Sequence, residues 1–412
     1  MLNPEVLANI TERGVSEIIS RPDFVRMLRS GKPLRLKMGF DPSRPDIHLG
    51  HVVGLRKLRQ LQDLGHKVIL IVGDWTAQIG DPSGQSATRP VLTHEEVLDN
   101  AQSYLRQFFK VVDKEKTQVV QQSEWFGKFT LADVIQLTGK FTVAQFLQRA
   151  DFAQRYADQR PIAITEFLYP LLQAYDSVKI EADVEFGGTD QMFNLLVGRE
   201  LQAMVGQTPQ QCFLMPILVG TDGVQKMSKS LDNYVAVDEA PAEMFGKIMS
   251  VSDDLILSYF EYLTDVPPAE LTDMSQDLIQ NSVNPMVCKK RLAWEITSQF
   301  HDSADADAAK AEFERVVQGR DLPGDIPEIA LESLRGQGAV AEDGARISRL
   351  MVAAGLASSN AEAKRLLGQG AVELVRLAGG TESISVENPA VPVEPGDVLK
   401  VGKRRFVRLV ER

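Results

Sequence analysis

The sequence predicts an α/β protein: a parallel sheet with helices packed against it, followed by an all-α region and a small α+β domain. Three observations favour this class. Residues 33–74 change from strand spacing to helix spacing and back, residues 236–319 keep helical spacing throughout, and residues 345–412 combine two short helices with strands. Because 412 residues exceed one ordinary core, we expect two or three domains.

The segment 33–74 predicts a strand, a helix and a second strand. Apolar side chains alternate along 33–41, and from His48 they recur at helical spacing until Gly65 ends the helix. The apolar run 66–74 is a buried strand candidate. Such a unit is a right-handed crossover in a parallel sheet, and ligands of these sheets bind beyond the carboxyl ends of the strands.

Later segments continue the alternation. Residues 117–122 and 211–220 predict strands, 183–205 a strand, a glycine turn and a helix, and 164–178 a helix with an apolar face, while 125–160 gives several helices. The loop after the last of these strands carries KMSKS. Loops that follow parallel strands meet at one edge of the sheet, so KMSKS (226–230) should lie near the helix start formed by HLGH (48–51).

The rest of the chain is predicted to be helical and then mixed. Asn284 and Pro285 mark a helix start, since asparagine caps helices and proline fits their first turn. The proline and glycine content of 319–338 is typical of a linker. The end gives two short helices and a strand, and 396–410 predicts a closing hairpin.

Composition narrows the function. No apolar run reaches the roughly 20 residues that span a bilayer, and the N-terminus lacks a signal-peptide pattern, so we expect a cytoplasmic protein. The two cysteines, Cys212 and Cys288, exclude a disulfide framework and a cysteine zinc site. Residues 345–412 hold 11 basic and 7 acidic residues, a net charge of +4. The whole chain has a net charge of −11, so the other residues together carry −15. A basic tail on an acidic body predicts that the tail meets a polyanion.

Two short motifs carry phosphate chemistry. His48 and His51 share one face at a helix start whose backbone N–H groups attract anions, and Gly50 would let a nucleotide approach the backbone. KMSKS supplies the ammonium groups of Lys226 and Lys229, which suit a phosphate chain that must be released. Taken singly, the motifs could be a surface helix and a solvated loop. Their pairing and order favour one shared triphosphate.

These motifs resemble those of the class I aminoacyl-tRNA synthetases, and specifically the bacterial tyrosyl-tRNA synthetases. GFDPSRPDIHLGH, IGDPSG, TEFLYPLLQAYD, GGTDQ and KMSKS occur in that order, and the resemblance covers nearly the whole chain. It implies activation of L-tyrosine with ATP to tyrosyl-adenylate and pyrophosphate, then transfer to the 3′ end of tRNA(Tyr). The implied domains are a Rossmann-like catalytic domain over 1–235 with a helical dimer-interface insert at about 125–165, an α-helical anticodon-binding domain over 236–325, a linker at 326–343 and an S-four-type RNA-binding domain over 344–412.

The resemblance also implies a role for individual residues. Those expected around tyrosine are Gly39, Asp41, Asp81, Tyr169, Gln173, Asp176 and Gln191. Those expected at ATP are Gly50, Gly188, Asp190, Val219 and Lys229. Those expected to stabilise the transition state are Ser43, His48, His51, Arg89, Lys226 and Lys229. Those expected at tRNA are Arg346, Arg349, Lys364, Arg365, Lys403, Arg404 and Arg405.

Partners follow from the same resemblance. We expect ATP as a substrate with Mg²⁺, no metal bound by the protein itself, and a homodimer in which each tRNA touches both subunits. Asp176 should accept a hydrogen bond from the phenol. By spacing, Tyr169, Gln173 and Asp176 share one helix face among apolar neighbours, where a buried carboxylate needs a partner. A polar edge facing solvent is the alternative.

Two positions depart from the family pattern. Lys37 stands where many members have a tyrosine that also reads the hydroxyl, so its role is open. Gln85 stands where a lysine often follows GDPSG, which removes one phosphate-binding charge or leaves it to Arg89.

Three other functions fit part of the sequence. A tryptophanyl-tRNA synthetase shares both motifs, but YPLLQAYD and the terminal RNA domain favour tyrosine. Small nucleotidyltransferases use a histidine pair without the later domains. An inactive paralogue that only binds RNA would not need intact histidines, lysines and Asp176.

Overall fold

The chain forms two compact units, Met1–Lys310 and Ala311–Arg412. The computed structural model describes residues 3–42, 46–83, 93–318, 326–341, 344–377, 381–385, 390–402 and 405–411, without the side chains of 94 and 98. The helices up to Lys310 therefore form one unit with the parallel sheet. Among the described residues, no helix is both long and apolar enough to cross a membrane.

The first unit is built on a six-stranded sheet with the order β1-β6-β5-β2-β3-β4. Its strands are β1 (Glu17–Ile19), β2 (Arg35–Phe40), β3 (Lys67–Val72), β4 (Thr117–Gln121), β5 (Val184–Gly188) and β6 (Gln211–Met215). Every pair is parallel except β1–β6. The five parallel strands confirm the predicted ones, whereas the antiparallel edge strand was not predicted. The chain runs from β2 outward to β4 and then returns to β5 on the other side, which leaves a crevice between β2 and β5.

Helices cover this sheet and build the insert. They are α1 (Pro4–Thr11), α2 (Arg21–Arg29), α3 (Leu49–Asp63), α4 (Thr76–Ile79), α5 (His94–Phe108), α6 (Ser123–Phe126), α7 (Leu131–Thr138), α8 (Val143–Phe146), α9 (Ala150–Ala157), α10 (Ile164–Lys179) and α11 (Met192–Met204). The predicted start of α3 is confirmed, with His48 as its N-cap. Its end is confirmed as well, because Gly65 follows the C-cap in the left-handed region at φ +91°.

The helical region that completes the first unit follows β6. It contains α12 (Pro241–Met249), α13 (Ile256–Leu263), α14 (Pro268–Ile279), α15 (Pro285–Phe300) and α16 (Ser303–Phe313), the last crossing into the second unit. The predicted cap of α15 is confirmed, since the Asn284 side chain accepts a hydrogen bond from the N–H of Met286. Tyr259 and Phe260 of α13 are fully buried, so this region has an extensive apolar core.

The second unit is a small α+β fold. Its elements are β7 (Glu328–Ala330), α17 (Leu331–Gly336), β8 (Val340–Ala341), β9 (Gly344–Ala345), α18 (Ile347–Ala353), α19 (Asn360–Gly368), β10 (Val372–Val375), β11 (Thr381–Ser383), β12 (Val398–Val401) and β13 (Arg405–Val410). The closing hairpin is confirmed by the antiparallel pairing of β12 and β13. The predicted linker 326–343 needs correction: β7 pairs with β13 and α17 buries Leu331 and Leu334, so these residues belong to the unit. Proline and glycine content did not reveal these short elements.

Candidate active site

A cavity of about 630 Å³ opens at the carboxyl ends of the parallel strands. Asp41 follows β2, Gly73 follows β3 and Pro216 follows β6, and all three line it. The predicted site residues that line the cavity are Gly39, Asp41, His48, Gly50, His51, Asp81, Tyr169, Gln173, Asp176, Gly188, Asp190, Gln191, Lys226 and Lys229. Segments that are far apart in sequence therefore share one space.

Two of the predicted site residues, Ser43 and Arg89, lie outside the described residues, as does Gln85. Val219 is absent from the described cavity lining, and its carbonyl accepts a hydrogen bond from the Tyr259 hydroxyl at 2.6 Å. That bond anchors the loop after β6 to α13.

The two motifs are joined through the backbone. The N–H of Leu49 donates to the carbonyl of Val235 at 3.0 Å, and His48 forms an isolated antiparallel bridge with Ala236. The segment that follows KMSKS is thus fixed to the first turn of α3. This contact holds the lysines beside the histidines.

His48 and His51 form a neutral pair at the start of α3, with ring centroids 4.0 Å apart. Nδ1 of His48 accepts the N–H of Gly50 at 3.2 Å, and Nδ1 of His51 accepts the N–H of His48 at 3.2 Å. Burial lowers the pKa of His48 well below its usual value and lowers the pKa of His51 to about 3, with the charge of Lys229 adding to both shifts. With Nδ1 engaged as an acceptor, each neutral ring carries its proton on Nε2. Each ring can therefore donate an uncharged N–H to an anion.

Gly50 is required by this arrangement. A Cβ at this position would lie 2.9 Å from atoms of the His48 ring, so glycine allows the ring to fold back over the helix start. Gly188 is similar, because a Cβ there would lie 2.7 Å from Oδ1 of Asp190. Both glycines leave space for a neighbouring functional side chain as well as for a ligand.

Lys226 and Lys229 already have partners in the site. Nζ of Lys226 lies 3.1 Å from Oδ2 of Asp190. Nζ of Lys229 donates to the carbonyl of Asp46 at 2.5 Å and to the hydroxyl of Tyr104, and it lies 4.5 Å from the centroid of that ring. An incoming polyphosphate would compete for these ammonium groups.

Asp176 is the most deeply buried acid of the cavity, with 2% of its surface exposed. Its carboxylate accepts hydrogen bonds from Nε2 of Gln122 at 2.7 Å and from Nε1 of Trp125 at 3.1 Å. Oε1 of Gln122 in turn accepts the N–H of Thr76 at 3.0 Å, which turns the amide nitrogen towards Asp176. Burial raises the pKa of Asp176 to about 7, against the opposing charge of Lys37. The group can accept one further hydrogen bond from a ligand.

Two further carboxylates lie in the cavity. Asp81 accepts a hydrogen bond from Nε2 of Gln191 at 2.6 Å, and Asp41 accepts one from the Tyr169 hydroxyl at 2.8 Å. Burial and the nearby Asp41 raise the pKa of Tyr169 well above its usual value, so it remains a neutral donor. Both carboxylates act on the Tyr169 side chain, so the ammonium group of a ligand bound beside it would meet negative charge.

Lys37, the departure noted in the sequence, lies under the site. It is completely buried, and its Nζ lies 2.8 Å from Oε1 of Glu185, itself 1% exposed. Nε2 of Gln173 donates to the same Glu185 oxygen at 3.1 Å. Gln173, which is predicted to contact tyrosine, is thus tied to a buried ion pair.

Sequence reasoning missed four side chains that shape the site: Gln122, Trp125, Tyr104 and Arg149. Arg149 donates to Oγ of Ser83 at 2.7 Å and lies 3.9 Å from Asp81. Gln122 had a signal, since it closes a predicted strand and so had to lie at the edge of the sheet. Trp125, Tyr104 and Arg149 lie in helical segments with no motif around them.

The predicted tRNA-binding residues lie in the second unit. Arg346, Arg349, Lys364, Arg365 and Arg405 are exposed, on or beside α18, α19 and β13. Arg405 also donates to the carbonyl of Leu356 at 2.5 Å. Lys403 and Arg404 lie outside the described residues.

Comparisons with known proteins show which family the chain belongs to. The family model of the tRNA synthetases class I (W and Y) matches residues 29–318. A tyrosine–tRNA ligase of Dehalococcoides mccartyi is 58% identical over 401 residues, covering 97% of this chain and 98% of the relative, and one of Thermotoga maritima is 47% identical over 411 residues, covering 99% and 98%. The structure of a tyrosyl-tRNA synthetase from Archaeoglobus fulgidus, complexed with L-tyrosine, has a TM-score of 0.60 at 24% identity and covers 74% of this chain and 99% of that one. The chain therefore belongs to the class I tRNA synthetases, among the tyrosine–tRNA ligases.

Proposed function

We propose that this chain activates L-tyrosine with ATP and transfers it to the 3′ end of tRNA(Tyr), using the cavity at the sheet edge for both steps. One observation carries the proposal: the histidine pair, the two KMSKS lysines and the buried Asp176 line the same cavity. Phosphate-binding groups and a hydroxyl acceptor are what a tyrosine and an ATP bound side by side would need.

In the first step, a carboxylate oxygen of tyrosine attacks the α-phosphorus of ATP and the bond to the bridging oxygen of pyrophosphate breaks. Tyrosyl-adenylate forms, and pyrophosphate leaves with Mg²⁺, which enters with ATP. Negative charge develops on the phosphate oxygens, so catalysis depends on positioning and on preorganised donors. His48 and His51 would donate their Nε2–H groups to these oxygens. The ammonium groups of Lys226 and Lys229 would bind the β- and γ-phosphates.

Binding would rearrange the existing contacts. ATP would replace the Lys226–Asp190 ion pair, so that the lysine meets phosphate and Asp190 accepts the ribose hydroxyls. The tyrosine ammonium would lie between Asp81, Tyr169 and Gln173, with Asp41 and Gln191 beside the substrate. The phenol would donate to Asp176.

In the second step, a terminal ribose hydroxyl of the tRNA attacks the tyrosyl carbonyl and AMP leaves. The hydroxyl gives up its proton as the ester forms, and the released phosphate oxygen of AMP can take it. No protein nucleophile is needed, in keeping with a cavity lined by hydrogen-bond donors and carboxylates.

Amino-acid-dependent exchange of pyrophosphate into ATP tests the activity directly. We expect exchange with tyrosine and little or none with tryptophan or phenylalanine. Exchange with tryptophan would instead favour the tryptophan branch of the family. No exchange with any of the three amino acids would leave the nucleotidyltransferase and the RNA-binding alternatives.

We propose that the second unit binds tRNA through the exposed basic residues of α18 and α19. A variant in which Arg346, Arg349, Lys364 and Arg365 are replaced by glutamine should retain tyrosine-dependent exchange but lose at least about tenfold in kcat/KM for tRNA charging. Removal of each lysine or arginine that binds a phosphate should also reduce the salt dependence of tRNA binding by about one unit of slope.

The matched control removes four exposed charges from the sheet domain, at Arg29, Lys32, Lys67 and Lys179. It should charge tRNA as the parent does. Equal loss in both variants would assign the effect to net charge rather than to this surface.

We propose a homodimer joined through the insert, as the family resemblance implies. The insert exposes large apolar side chains, which favour burial against a partner: Leu131 (75%), Ile135 (61%), Val143 (61%), Tyr156 (68%) and Ile164 (82%). Leu131 and Ile135 share one face of α7 at i, i+4 spacing. Each tRNA could then contact both subunits.

Replacing both Leu131 and Ile135 with glutamate should halve the mass measured by sedimentation equilibrium. Charged side chains would be desolvated at the interface, so association should weaken by at least about 10²-fold. Ile279→Glu is the control, since Ile279 is 76% exposed but lies on α14. A parent that sediments as a monomer would contradict the proposal.

We also propose that the enzyme works in the cytoplasm, where its tRNA substrate is found. Cys212 and Cys288 are both free thiols, as expected in a reducing compartment. Both are buried and serve as small apolar side chains.

A further inference from the structure

Lys37 is a fully buried lysine whose hydrogen-bonding capacity is satisfied by the protein. Its Nζ contacts Oε1 of Glu185 at 2.8 Å, the carbonyl of Gln173 at 2.6 Å and Oγ of Ser177 at 2.7 Å. An ammonium group has three N–H donors, and these three acceptors use them. Glu185 is equally well bound, because its second oxygen accepts hydrogen bonds from Ser177 and from Gln210. A buried ion pair is tolerated only when it is hydrogen-bonded in this way.

The ammonium group lies beside the turn of α10 that carries Asp176. Gln173 precedes Asp176 by three residues and Ser177 follows it directly, so Lys37 contacts the helix on both sides of the carboxylate. The charged or titratable groups that act on Asp176 are Lys37 from β2, Glu185 from β5 and Tyr169 from α10 itself. The remaining partners, from α6 and the residue before it, are neutral donors. Lys37 is thus the one positive charge among these described neighbours.

Lys37 is absent from the described lining of the cavity, so it does not read the substrate directly. We propose that Lys37 is a positioning residue, which keeps Asp176 in its ionised form and fixes the turn that presents this carboxylate to the phenol of tyrosine. The inference rests on the proposed role of Asp176. It explains how a chain with lysine at a position that often holds a second hydroxyl reader can still recognise the hydroxyl.

Charge supports this role. Burial raises the pKa of Asp176, and Lys37 opposes that shift more strongly than Glu185 reinforces it. Without the ion pair the carboxyl would hold its proton to a higher pH. A protonated Asp176 would lose its strength as an acceptor for the phenol hydroxyl, since hydrogen bonds to charged groups are the stronger ones.

The test removes the pair as a unit, because Lys37→Met alone would leave Glu185 buried without a counter-charge. In the double variant Lys37→Met, Glu185→Gln, the KM for tyrosine is measured by pyrophosphate exchange from about pH 5 to about pH 9. We expect the pH below which the KM for tyrosine rises to increase by about one unit. This corresponds to a tenfold shift of the protonation equilibrium of Asp176 towards its neutral form. The kcat at high pH should change by less than about threefold, because chemistry at the α-phosphorus is untouched.

A second variant keeps the charge. Lys37→Arg retains a cation opposite Glu185, so its pH limit should stay at that of the parent. Lys57→Met is the matched control for loss of a buried lysine: Lys57 is 4% exposed and contacts the carbonyl of Asn9 at 2.7 Å, away from the site. It should change thermal stability and leave the pH limit in place.

The inference is overturned if the double variant Lys37→Met, Glu185→Gln keeps the pH limit of the parent while exchange remains specific for tyrosine. In that case the proposed function stands and Lys37 is only a packing residue. A parent without tyrosine-dependent exchange would refute the proposed function instead, so the two failures are distinguishable.

Discussion

Asp176→Asn should destroy hydroxyl recognition. The two oxygens of Asp176 accept hydrogen bonds from the donors Gln122 and Trp125, so an asparagine amide nitrogen would necessarily face one of these donors. The phenol would lose its charged acceptor. A site built around a hydroxyl rejects the analogue without it by roughly 10⁴–10⁵, a range known from tyrosine-specific synthetases themselves and not obtained from this structure. We expect the preference of the variant for tyrosine over phenylalanine to fall by about 10²-fold or more.

The measurement is kcat/KM for both amino acids in pyrophosphate exchange. Asp397→Asn is the control, because Asp397 is equally buried at 2% exposure but pairs with Arg376 in the second unit. It should cost stability without changing the preference. If Asp176→Asn kept the discrimination of the parent, the hydroxyl would have to be read elsewhere in the cavity.

Recognition through Asp176 also has a pH limit. Burial raises its pKa to about 7, above the usual carboxyl value, so the acceptor is ionised above that pH and protonated below it. The KM of the parent for tyrosine should therefore rise as pH falls through about 7. Asp176→Asn, which cannot titrate at this position, should lack this rise.

Much of the sheet could be predicted from sequence because its strands are short apolar runs separated by turn residues. β3 at Lys67–Val72 and β6 at Gln211–Met215 follow such runs, and their loops had to share one edge of the sheet. That constraint alone brought HLGH and KMSKS together. The edge strand β1 was missed because its three residues, Glu17–Ile19, pair only through contact with a distant strand.

The site was predictable where roles are carried by motifs and not where they depend on packing. His48 and Lys229 stand in short motifs, and both line the cavity. Trp125 and Tyr104 acquire their roles only because helices outside the motifs pack over the sheet edge, which local sequence does not encode. The linker prediction failed for a related reason, since β7 exists only through its pairing with β13.

Lys229→Ala should slow adenylate formation while tyrosine still binds. The ammonium of Lys229 is held by the Asp46 carbonyl and the Tyr104 hydroxyl beside the histidine pair, close to where pyrophosphate would leave. Loss of one preorganised donor at developing charge typically lowers the rate by about 10²–10³-fold. We expect a loss of this size in single-turnover adenylate formation, with the Kd for tyrosine changed by less than about twofold.

Tyr104→Phe distinguishes two roles of Lys229, its contact with the Tyr104 hydroxyl before ATP binds and its action on the reacting phosphates. The variant removes only the hydroxyl that Lys229 contacts before ATP binds and leaves the ammonium able to reach phosphate. If Lys229 acts in the transition state, Tyr104→Phe should keep the adenylate rate within about threefold of the parent, because it leaves the charge in place. Equal adenylate rates for Lys229→Ala and the parent would show that the contact with Tyr104 and Asp46 is the whole of its role. A slow step in Lys229→Ala at saturating ATP, with normal tyrosine affinity, would instead locate its charge at the departing pyrophosphate, since a ground-state role would weaken ATP binding and leave the rate at saturation unchanged.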